Sequence, residues 1–423
     1  MAIHVSDRAY AALYLVTQRL RRGVTSGQID EAAHLLEASA VERQEYLERR
    51  LFAQYGAGRE WLARQPVMDR DSLAGPMAEL LVSTPGRLVE HRKTSGSTGA
   101  PFKFIRDRAM TAWMDAAMWA GYAWHGIMPG HRQARFWGMP LGVRERLVRR
   151  VTDRLQHRRR LSAFDVTPST CRQFLMRLNA FRPTYIYGYP TLIGTFVDQC
   201  RQQGLDGRRC GVRVAVVTGE LLLPTVRQAI GDFFGCTVVN EYGCTESGVL
   251  ALECERGTLH TIPAAVHVEL LLDGVPAPEG EVVSTDLYGA IHPLVRYRLR
   301  DRARWTTESC PCGRDLPGLV IDAGRVDSFI ITPARGKVYD AVIAYAMPAG
   351  VQRFQARQPT LGLLEVDIVP GRDLQPDALA ACQTRLRAQL GPGMEIAVRL
   401  VGAIPSDPSG KLRYFIPLRA GQS

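Results

Sequence analysis

Runs that suit buried strands alternate with helix-forming segments through the middle of this 423-residue chain. Residues 212–217 are largely apolar and β-branched, residues 224–234 have helical periodicity behind a proline, and residues 237–239 return to a strand pattern. The same alternation is present upstream, from residue 107 to residue 187. Such an alternation is typical of a largely parallel sheet that is covered by helices on both faces. The sequence therefore predicts an α/β fold.

The pattern changes twice further along the chain. From residue 264 it becomes rich in strands, and after residue 325 a strand, a helix and a strand follow one another. A chain of 423 residues also exceeds what one hydrophobic core usually supports. We predict a large N-terminal domain with mostly parallel sheets and a β-rich subdomain over residues 1–326, and a small mobile α+β domain over residues 327–423.

The composition favours a soluble protein of the cytoplasm. The hydrophobic fraction is 46%, the apolar stretches are too short to span a membrane, and the first 20 residues suit a surface helix and not a signal peptide. Nine cysteines without dense pairing indicate a reducing compartment. We therefore expect no membrane partner.

A formal net charge of +11 is concentrated in the arginines of residues 142–160. This stretch predicts an acidic partner, which could be a phosphorylated cofactor, an acidic carrier protein or nucleic acid; a solvated helix face is the alternative. Nucleic acid is the weaker candidate, because no aromatic residue interrupts the stretch and proteins that bind single strands use aromatic side chains as stacking platforms.

Residues 93–103 read K-T-S-G-S-T-G-A-P-F-K, a run of small residues that offers many backbone N–H groups. Six consecutive residues of this run are predicted to hold phosphate: Thr94, Ser95, Gly96, Ser97, Thr98 and Gly99. The run is not a Walker-type loop, because neither Gly-Lys pair of the chain follows a glycine at the required spacing. A flexible Ser/Gly turn is the alternative interpretation.

Two segments that follow predicted strands carry further candidate binding groups. Residues 217–221, V-T-G-E-L, place Gly219 and Glu220 at the carboxyl end of a strand, where α/β proteins bind ligands. Residues 240–248, N-E-Y-G-C-T-E-S-G, could instead form a structural turn. Their aromatic ring, hydroxyl and carboxylate suit adenine stacking, a phosphate contact and a Mg²⁺ ligand, in the order Tyr242, Thr245 and Glu246.

Two later segments each contain one candidate residue. Residues 296–301, R-Y-R-L-R-D, place Asp301 among three arginines, and a surface salt-bridge cluster is the alternative there. Residues 405–413, P-S-D-P-S-G-K-L-R, carry Lys411 on a Pro/Gly loop, where a disordered tail would be the alternative.

A set of cysteines and one histidine has the composition of a zinc site. Cys254, His260, Cys310 and Cys312 offer three thiolates and one imidazole, which suit a closed tetrahedral Zn²⁺ site with a structural role. Because the spacings are not the usual C-x2-C pairs, buried cysteines without a metal are the alternative. Cys244, within the 240–248 segment, is interpreted as a small packing residue and not as a nucleophile.

Taken in order, these motifs resemble a known family. The succession T-S-G-S-T-G, Y-G-x-T-E, Y-R-x-x-D, G-R-x-D and S-G-K is similar to that of the adenylate-forming superfamily of acyl-CoA ligases and adenylation domains. It most resembles the phenylacetate–CoA ligase branch, including relatives in capsular polysaccharide biosynthesis. The resemblance extends from residue 94 to residue 411. Similar Cys/His sets occur in this branch, which supports the zinc interpretation.

The resemblance implies a role for each motif residue. The 94–99 loop would wrap the phosphates of ATP, Gly219 and Glu220 would lie beside the adenine, and Tyr242 would stack on it. The remaining nucleotide and reaction roles would be an α-phosphate contact for Thr245, a Mg²⁺ ligand for Glu246, a ribose contact for Asp301, a phosphate contact for Arg325, a hinge for Asp327 and, for Lys411, a bridge between the substrate carboxylate and the α-phosphate.

The implied reaction has two steps. A carboxylic acid and ATP would give an acyl-adenylate and pyrophosphate, and a thiol of coenzyme A or of an acyl or peptidyl carrier protein would then displace AMP, with Lys411 moved away by the small domain. The family's glycine-rich segment after the hinge is replaced here by residues 331–337, so transfer to an amine or a hydroxyl is an alternative second step. A non-catalytic nucleotide-binding protein is a third hypothesis, and a homodimer stays open.

Aromatic residues gather where the family's acyl pocket would lie. Trp137, Tyr187 and Tyr189, together with Phe136 and Tyr185, suit a planar aryl acid. A strand packed in the core is the alternative for residues 185–189. We therefore predict an ATP-dependent ligase for an aryl acid.

Overall fold

The computed structural model describes residues 12, 14–16, 23–83, 89–93, 103–137, 150–162, 166–289, 291–325, 328–371, 373–407 and 411–418. The predicted phosphate loop, Thr94 to Gly99, and the predicted hinge residue Asp327 lie outside these residues.

The elements follow in chain order. The helices are α1 Ser26–Glu37, α2 Ala40–Tyr55, α3 Arg59–Ala63, α4 Arg70–Ser83, α5 Arg108–Ala123, α6 Pro168–Phe181, α7 Pro190–Gln202, α8 Pro224–Phe234, α9 Ala341–Ala346 and α10 Ala378–Leu390. The strands are β1 Val89–Lys93, β2 Lys103–Asp107, β3 Gln133–Phe136, β4 Arg158–Leu161, β5 Tyr185–Gly188, β6 Val214–Thr218, β7 Thr237–Cys244, β8 Gly248–Glu253, β9 Leu259–Thr261, β10 Val266–Leu272, β11 Val275–Pro276, β12 Glu279–Asp286, β13 Tyr297–Trp305, β14 Gly318–Arg325, β15 Phe329–Thr332, β16 Gly336–Tyr339, β17 Val351–Thr360, β18 Leu363–Pro370, β19 Glu395–Leu400 and β20 Phe415–Ile416.

Twelve of the described strands form one sheet, in the order β11-β10-β12-β13-β14-β9-β8-β7-β6-β5-β3-β4. The run from β4 through β3, β5 and β6 to β7 is parallel, and the pairs from β7 to β11 are antiparallel. The predicted α/β fold class is confirmed. The predicted β-rich part is continuous with the parallel part, and the change of direction occurs at β7, which carries Tyr242.

The helices beside the parallel strands begin at residues that suit a helix start. Pro168, Pro190 and Pro224 occupy the first turns of α6, α7 and α8, where a proline loses no helical hydrogen bond. Gly235 ends α8 in the left-handed region, with a φ of 65°. The apolar sides of these helices pack in one core with the sheet, through Phe174, Phe196 and Phe234 among others.

The C-terminal residues form a smaller sheet, β19-β18-β17-β20, with α10 packed against it. Its apolar residues, including Phe354 and Leu364, belong to the same buried cluster as Val217 and Phe196 of the large sheet. This continuity fixes the C-terminal sheet beside the carboxyl end of β6. The boundary at residue 327 stays a prediction. Among the described residues, no helix is long and apolar enough to cross a membrane.

Candidate active site

The parallel strands β5, β6 and β7 deliver the predicted site residues to one edge of the sheet. Their registers pair Gly188 with Val217 and Thr218 with Glu241, so the three carboxyl ends lie side by side. Tyr189 follows β5, Gly219 follows β6, and Tyr242 lies near the end of β7. This edge is where sheets of this kind bind ligands.

Lys411 reaches this edge from the C-terminal sheet. Its Nζ lies 3.3 Å from the position that a Cβ atom would occupy on Gly219, and 5.5 Å from the centroid of the Tyr189 ring. Gly219 has a φ of +78°, which favours glycine. Asp407 holds the backbone of Lys411, accepting its N–H at 3.1 Å and donating its own N–H to the Lys411 carbonyl at 2.8 Å. Within the described chain, the Lys411 ammonium has no ion pair.

Glu220 binds the segment that carries Lys411. One carboxylate oxygen accepts hydrogen bonds from the hydroxyl and the N–H of Thr191, at 2.6 and 3.2 Å, and the other accepts the N–H of Leu412 at 2.7 Å. Burial raises the pKa of Glu220, and the hydrogen bonds from Thr191 and Leu412 oppose that rise. The carboxylate is thus occupied by protein donors, and the position of Glu220 beside adenine stays a prediction.

Further contacts across the same junction come from residues that the sequence did not single out. The guanidinium of Arg353 donates to the Thr191 carbonyl at 2.6 Å, and the Tyr414 hydroxyl donates to the Leu221 carbonyl at 3.0 Å. No motif marks these two side chains. Only the fold brings the C-terminal strands against the start of α7 and the end of β6.

The candidate nucleotide residues form two hydroxyl–carboxylate pairs. Tyr242 donates its hydroxyl to Asp301 at 2.9 Å, and Tyr297 donates its hydroxyl to Glu246 at 3.1 Å. Thr245 is exposed on the turn between β7 and β8, and its carbonyl accepts a hydrogen bond from Arg106.

The close approach of β7 and β8 at their turn requires a glycine at position 243. A Cβ on Gly243 would collide with the carbonyl oxygen of Gly248, so only glycine fits there. On the neighbouring pair of strands, the backbone of Arg325 lies opposite Asp301. Burial raises the pKa of the Cys244 thiol to about 12, which keeps it protonated and suits the packing role that the sequence predicted.

Three aromatic rings form a stacked group that we call the aromatic wall: Tyr189, Trp137 and Tyr187. The Trp137 ring lies 4.2 Å from that of Tyr189 and 5.7 Å from that of Tyr187, with interplanar angles of 28° and 20°. Lys411 lies over the Tyr189 end of the wall. At the other end, the Arg135 guanidinium lies 4.7 Å from the Tyr187 ring and 5.1 Å from the Trp137 ring.

Two other predicted pocket aromatics have different surroundings. Phe136 is fully buried and packs against Phe174 and Phe196 in the core. Tyr185 is buried as well, and its hydroxyl accepts a hydrogen bond from Gln133 at 2.7 Å. Because side chains alternate along a strand, Phe136 points away from the face that holds Arg135.

A buried carboxylate lies behind the aromatic wall. Glu241 accepts hydrogen bonds from the hydroxyls of Tyr122, at 2.5 Å, and Tyr187, at 3.1 Å. Burial raises the pKa of Glu241, and the hydroxyl donors oppose the rise. The sequence did not single out this residue, and its position one before Tyr242 is its only mark in the sequence.

The four predicted zinc ligands come together. The ligand atoms of Cys254, His260, Cys310 and Cys312 all lie within 4.8 Å of one another. The Cys254 and Cys310 sulfurs are 3.6 Å apart, and the Cys312 sulfur lies 3.4 Å from His260 Nε2. A tetrahedral Zn²⁺ site has edges of about 3.8 Å between sulfurs and about 3.6 Å between sulfur and nitrogen. His260 Nδ1 lies 2.9 Å from the Leu316 carbonyl, an arrangement that leaves Nε2 free for a metal. The residues therefore fit a Zn²⁺ ion.

Two arginines of the basic stretch, residues 142–160, form ion pairs within the protein. Arg158 and Arg160 of β4 both pair with Asp153, at 3.5 and 2.9 Å. Burial lowers the pKa of Arg158 to about 10. These two arginines therefore do not belong to a solvated face, whereas Arg154 is exposed.

Comparison with known proteins finds relatives of low sequence identity. Residues 330–417 match the CapK C-terminal domain. The chain is 26% identical to the phenylacetate-coenzyme A ligase of Thermus thermophilus over 283 residues, which are 58% of this chain and 62% of that ligase. It is 21% identical to Protein CapK of Staphylococcus aureus over 360 residues, which are 83% and 79% of the two chains. The chain is thus similar in sequence to phenylacetate-coenzyme A ligases and to CapK.

The solved structures are similar to this chain in fold. A 2-hydroxyisobutyryl-CoA ligase, crystallised in the postadenylation state with R3-HIB-AMP, has a TM-score of 0.65 and 20% identity, with coverage of 93% of this chain and 88% of that one. The sequence matches confirm the expected resemblance to phenylacetate-coenzyme A ligases and CapK, and this structure adds a likeness of fold. The match to the Thermus ligase spans less than two thirds of that ligase, and the roles of individual residues stay predictions.

Proposed function

We propose that this protein activates a carboxylic acid with ATP, releasing pyrophosphate and forming an acyl-adenylate. The observation that carries the proposal is the position of Lys411. An ammonium without an ion pair within the described chain lies at the ligand-binding edge of the sheet, beside Gly219 and the aromatic wall. Attack of a carboxylate on an α-phosphate brings negative charges together, and a cation held there stabilises the transition state.

The other residues supply the nucleotide site of this proposal. Asp301, held by the Tyr242 hydroxyl, would accept the ribose hydroxyls. Glu246, oriented by Tyr297, would ligate Mg²⁺, which prefers carboxylate oxygens and substrate phosphates. Thr94 to Gly99, Thr245 and Arg325 would contact the phosphates, and Asp327 would act as the hinge. Mg²⁺ would supply further neutralisation of phosphate charge.

The aromatic wall would bind the acyl group of the acid. Stacked rings beside the Lys411 ammonium suit a planar acyl group whose carboxylate points towards the lysine. The acyl group would then pass to the thiol of coenzyme A or of a carrier protein. We also propose that Cys254, His260, Cys310 and Cys312 hold one structural Zn²⁺, since four protein ligands leave no open position for substrate.

One observation favours a second candidate acceptor. Residues 331–337 lie in a tight antiparallel hairpin, β15 to β16, with Thr332 opposite Gly336. The family resemblance implies that this segment replaces a glycine-rich segment of coenzyme A ligases, so transfer to an amine or a hydroxyl is the alternative second step.

The test is pyrophosphate release from Mg·ATP across a panel of aryl and alkyl acids, with and without coenzyme A, and with products identified by mass. We expect release that requires an acid. An acyl-CoA mass would identify the thiol acceptor, and accumulation of acyl-AMP alone would favour a carrier protein, an amine or a hydroxyl. Absence of release with every acid, together with absence of ATP binding, would overturn the proposal.

A further inference from the structure

The aromatic wall ends at a cation, Arg135, for which the described part of the chain supplies no ion-pairing carboxylate. Among the described residues, Arg135 makes no hydrogen bond through its guanidinium and no ion pair, and its buried Nε has no partner. Its side chain is partly buried, and it lies over Tyr187 and Trp137. Contact with ring faces compensates only part of the cost of removing a guanidinium from water.

The neighbouring carboxylate groups are already engaged. Parallel pairing of β3 with β4 places Arg135 beside Arg160, and Asp153 binds Arg160 through two hydrogen bonds of 2.9 Å. Asp153 also pairs with Arg158. The sheet therefore places three guanidinium groups around one carboxylate.

Glu241 attracts Arg135 through its charge but forms no ion pair with it within the described residues. Both of its oxygens accept hydroxyl hydrogen bonds, from Tyr122 and Tyr187. Glu241 thus fixes the Tyr187 ring, while Arg135 lies against the ring itself. Buried charges in proteins are normally paired, so a guanidinium retained in such a place calls for an anion from outside the protein.

We propose that Arg135 binds a second anionic group of the acyl substrate, at the end remote from the carboxylate that is activated, so that the substrate is a planar diacid. This inference rests on the proposed function, because Lys411 marks the position of the reacting carboxylate. The order of groups is Lys411, Tyr189, Trp137, Tyr187 and Arg135. A flat acyl body along the wall would place one anion at each cationic end. A guanidinium matches a carboxylate through two parallel hydrogen bonds.

The test compares matched acids that differ only in the second carboxylate: benzoate with benzene-1,4-dicarboxylate, and phenylacetate with 4-carboxyphenylacetate. Binding is followed by calorimetry with the full-length protein, and pyrophosphate release is measured in parallel. The variants are Arg135→Leu, Arg135→Gln and Arg135→Lys, each checked for its thermal transition. Arg159→Gln is the control, because Arg159 is exposed on the next strand.

We expect the wild-type protein to favour a diacid by about 10- to 100-fold over its matched monoacid, the effect of one hydrogen bond to a charged group. Arg135→Leu and Arg135→Gln should lose that preference without losing affinity for the monoacid, and Arg135→Lys should retain part of it. Equal binding of mono- and diacids by the wild type, binding of neither, or a preference that survives in folded Arg135→Leu would overturn the inference. Diacid binding that depends on Arg135 without pyrophosphate release would support it while contradicting the proposed function.

Discussion

The carboxylate of Glu220 accepts the backbone N–H of Leu412 at 2.7 Å, one residue beyond Lys411. Its other oxygen is held by the hydroxyl and the N–H of Thr191, at the start of α7. One half-buried carboxylate therefore ties the lysine-bearing segment to the large sheet. In the proposed reaction, the position of Lys411 would depend on this contact.

Replacement of Glu220 should impair the first half-reaction selectively. Glu220→Gln keeps the shape of the side chain but loses the charge that strengthens three hydrogen bonds, and its amide nitrogen cannot accept the N–H of Leu412. Bonds to charged groups contribute about 1.5–3 kcal/mol, so we expect adenylation to slow by about 10- to 100-fold. Consumption of a supplied acyl-adenylate should change far less. Equal losses in both assays would contradict a role for Glu220 in docking.

Gly219 offers a test with an internal control. Gly219→Ala adds the strain of a left-handed alanine, about 1–2 kcal/mol, and a Cβ that lies 3.3 Å from Lys411 Nζ and 3.2 Å from Tyr189. Gly204 has a similar φ, +69°, but nothing lies within 4 Å of the added atom. Both variants should lower the thermal transition alike, and only Gly219→Ala should slow pyrophosphate release, by about 10-fold or more. Comparable activity losses in the two variants would argue against crowding of Lys411.

Removal of the Lys411 ammonium should abolish acyl-adenylate formation. Lys411→Ala leaves the negative charge of the transition state without its nearest protein cation, and we expect a loss of at least about 100-fold in pyrophosphate release. Reaction of a supplied acyl-adenylate with its acceptor should stay largely intact. Arg387→Ala removes an exposed cation from the same small unit and should leave both steps unchanged. A retained first step in Lys411→Ala would refute the assigned role.

The sequence predicted helices and strands better than the contacts between residues distant in the chain. Apolar runs and prolines indicate β6 and α8, because strand burial and the first helical turn impose local requirements. Tyr242 was singled out by its residue type and its position after a strand, whereas the predicted role of Asp301 came from the family resemblance. Their direct hydrogen bond could not be predicted, because it joins residues 59 positions apart in the chain.

What the sequence missed arises from pairing and docking across the fold. In the sequence, nothing distinguishes Arg135 from the other arginines. In the structure, the parallel register places it beside Arg160, which already binds the carboxylate of Asp153. Phe136 and Trp137 look equivalent in the sequence, yet strand alternation sends one ring into the core and leaves the other in the aromatic wall. The direction of a side chain and the number of carboxylates near an arginine are properties of the assembled sheet.

His267 should make stability depend on pH. Burial, together with the positive charges of Arg59 and Arg296, lowers the pKa of His267 to about 4. Because the unfolded chain holds that proton at an ordinary pKa of about 6.5, the contribution of neutral His267 is present above pH 6.5. It is lost as the pH falls from about 6.5 to about 4. The loss should reach at most about 1.4 kcal/mol per pH unit.

The measurement compares thermal transitions of the wild type and His267→Gln between pH 4.5 and 7.5. We expect the difference between the two proteins to shrink towards low pH. His34→Gln, at an exposed position, should follow the wild type at every pH. A constant difference between the wild type and His267→Gln would show that His267 titrates normally in the folded protein.

Loss of the proposed zinc ion should destabilise the protein without the signature of a missing catalytic group. Cys310 and Cys312 lie on the connection between β13 and β14, whereas Cys254 follows β8 and His260 lies in β9, so a metal bound by all four would tie this connection to two strands. We expect about one Zn²⁺ per chain by elemental analysis of the purified protein. Cys310→Ser should lower both the metal content and the thermal transition. Cys236→Ser, outside the cluster, should retain the metal.

Residual pyrophosphate release by Cys310→Ser at low temperature would fit a structural ion, since a missing ligand there changes stability and leaves Lys411 and its neighbours in place. Full metal content in Cys310→Ser, or none in the wild type, would rule out the four-ligand site.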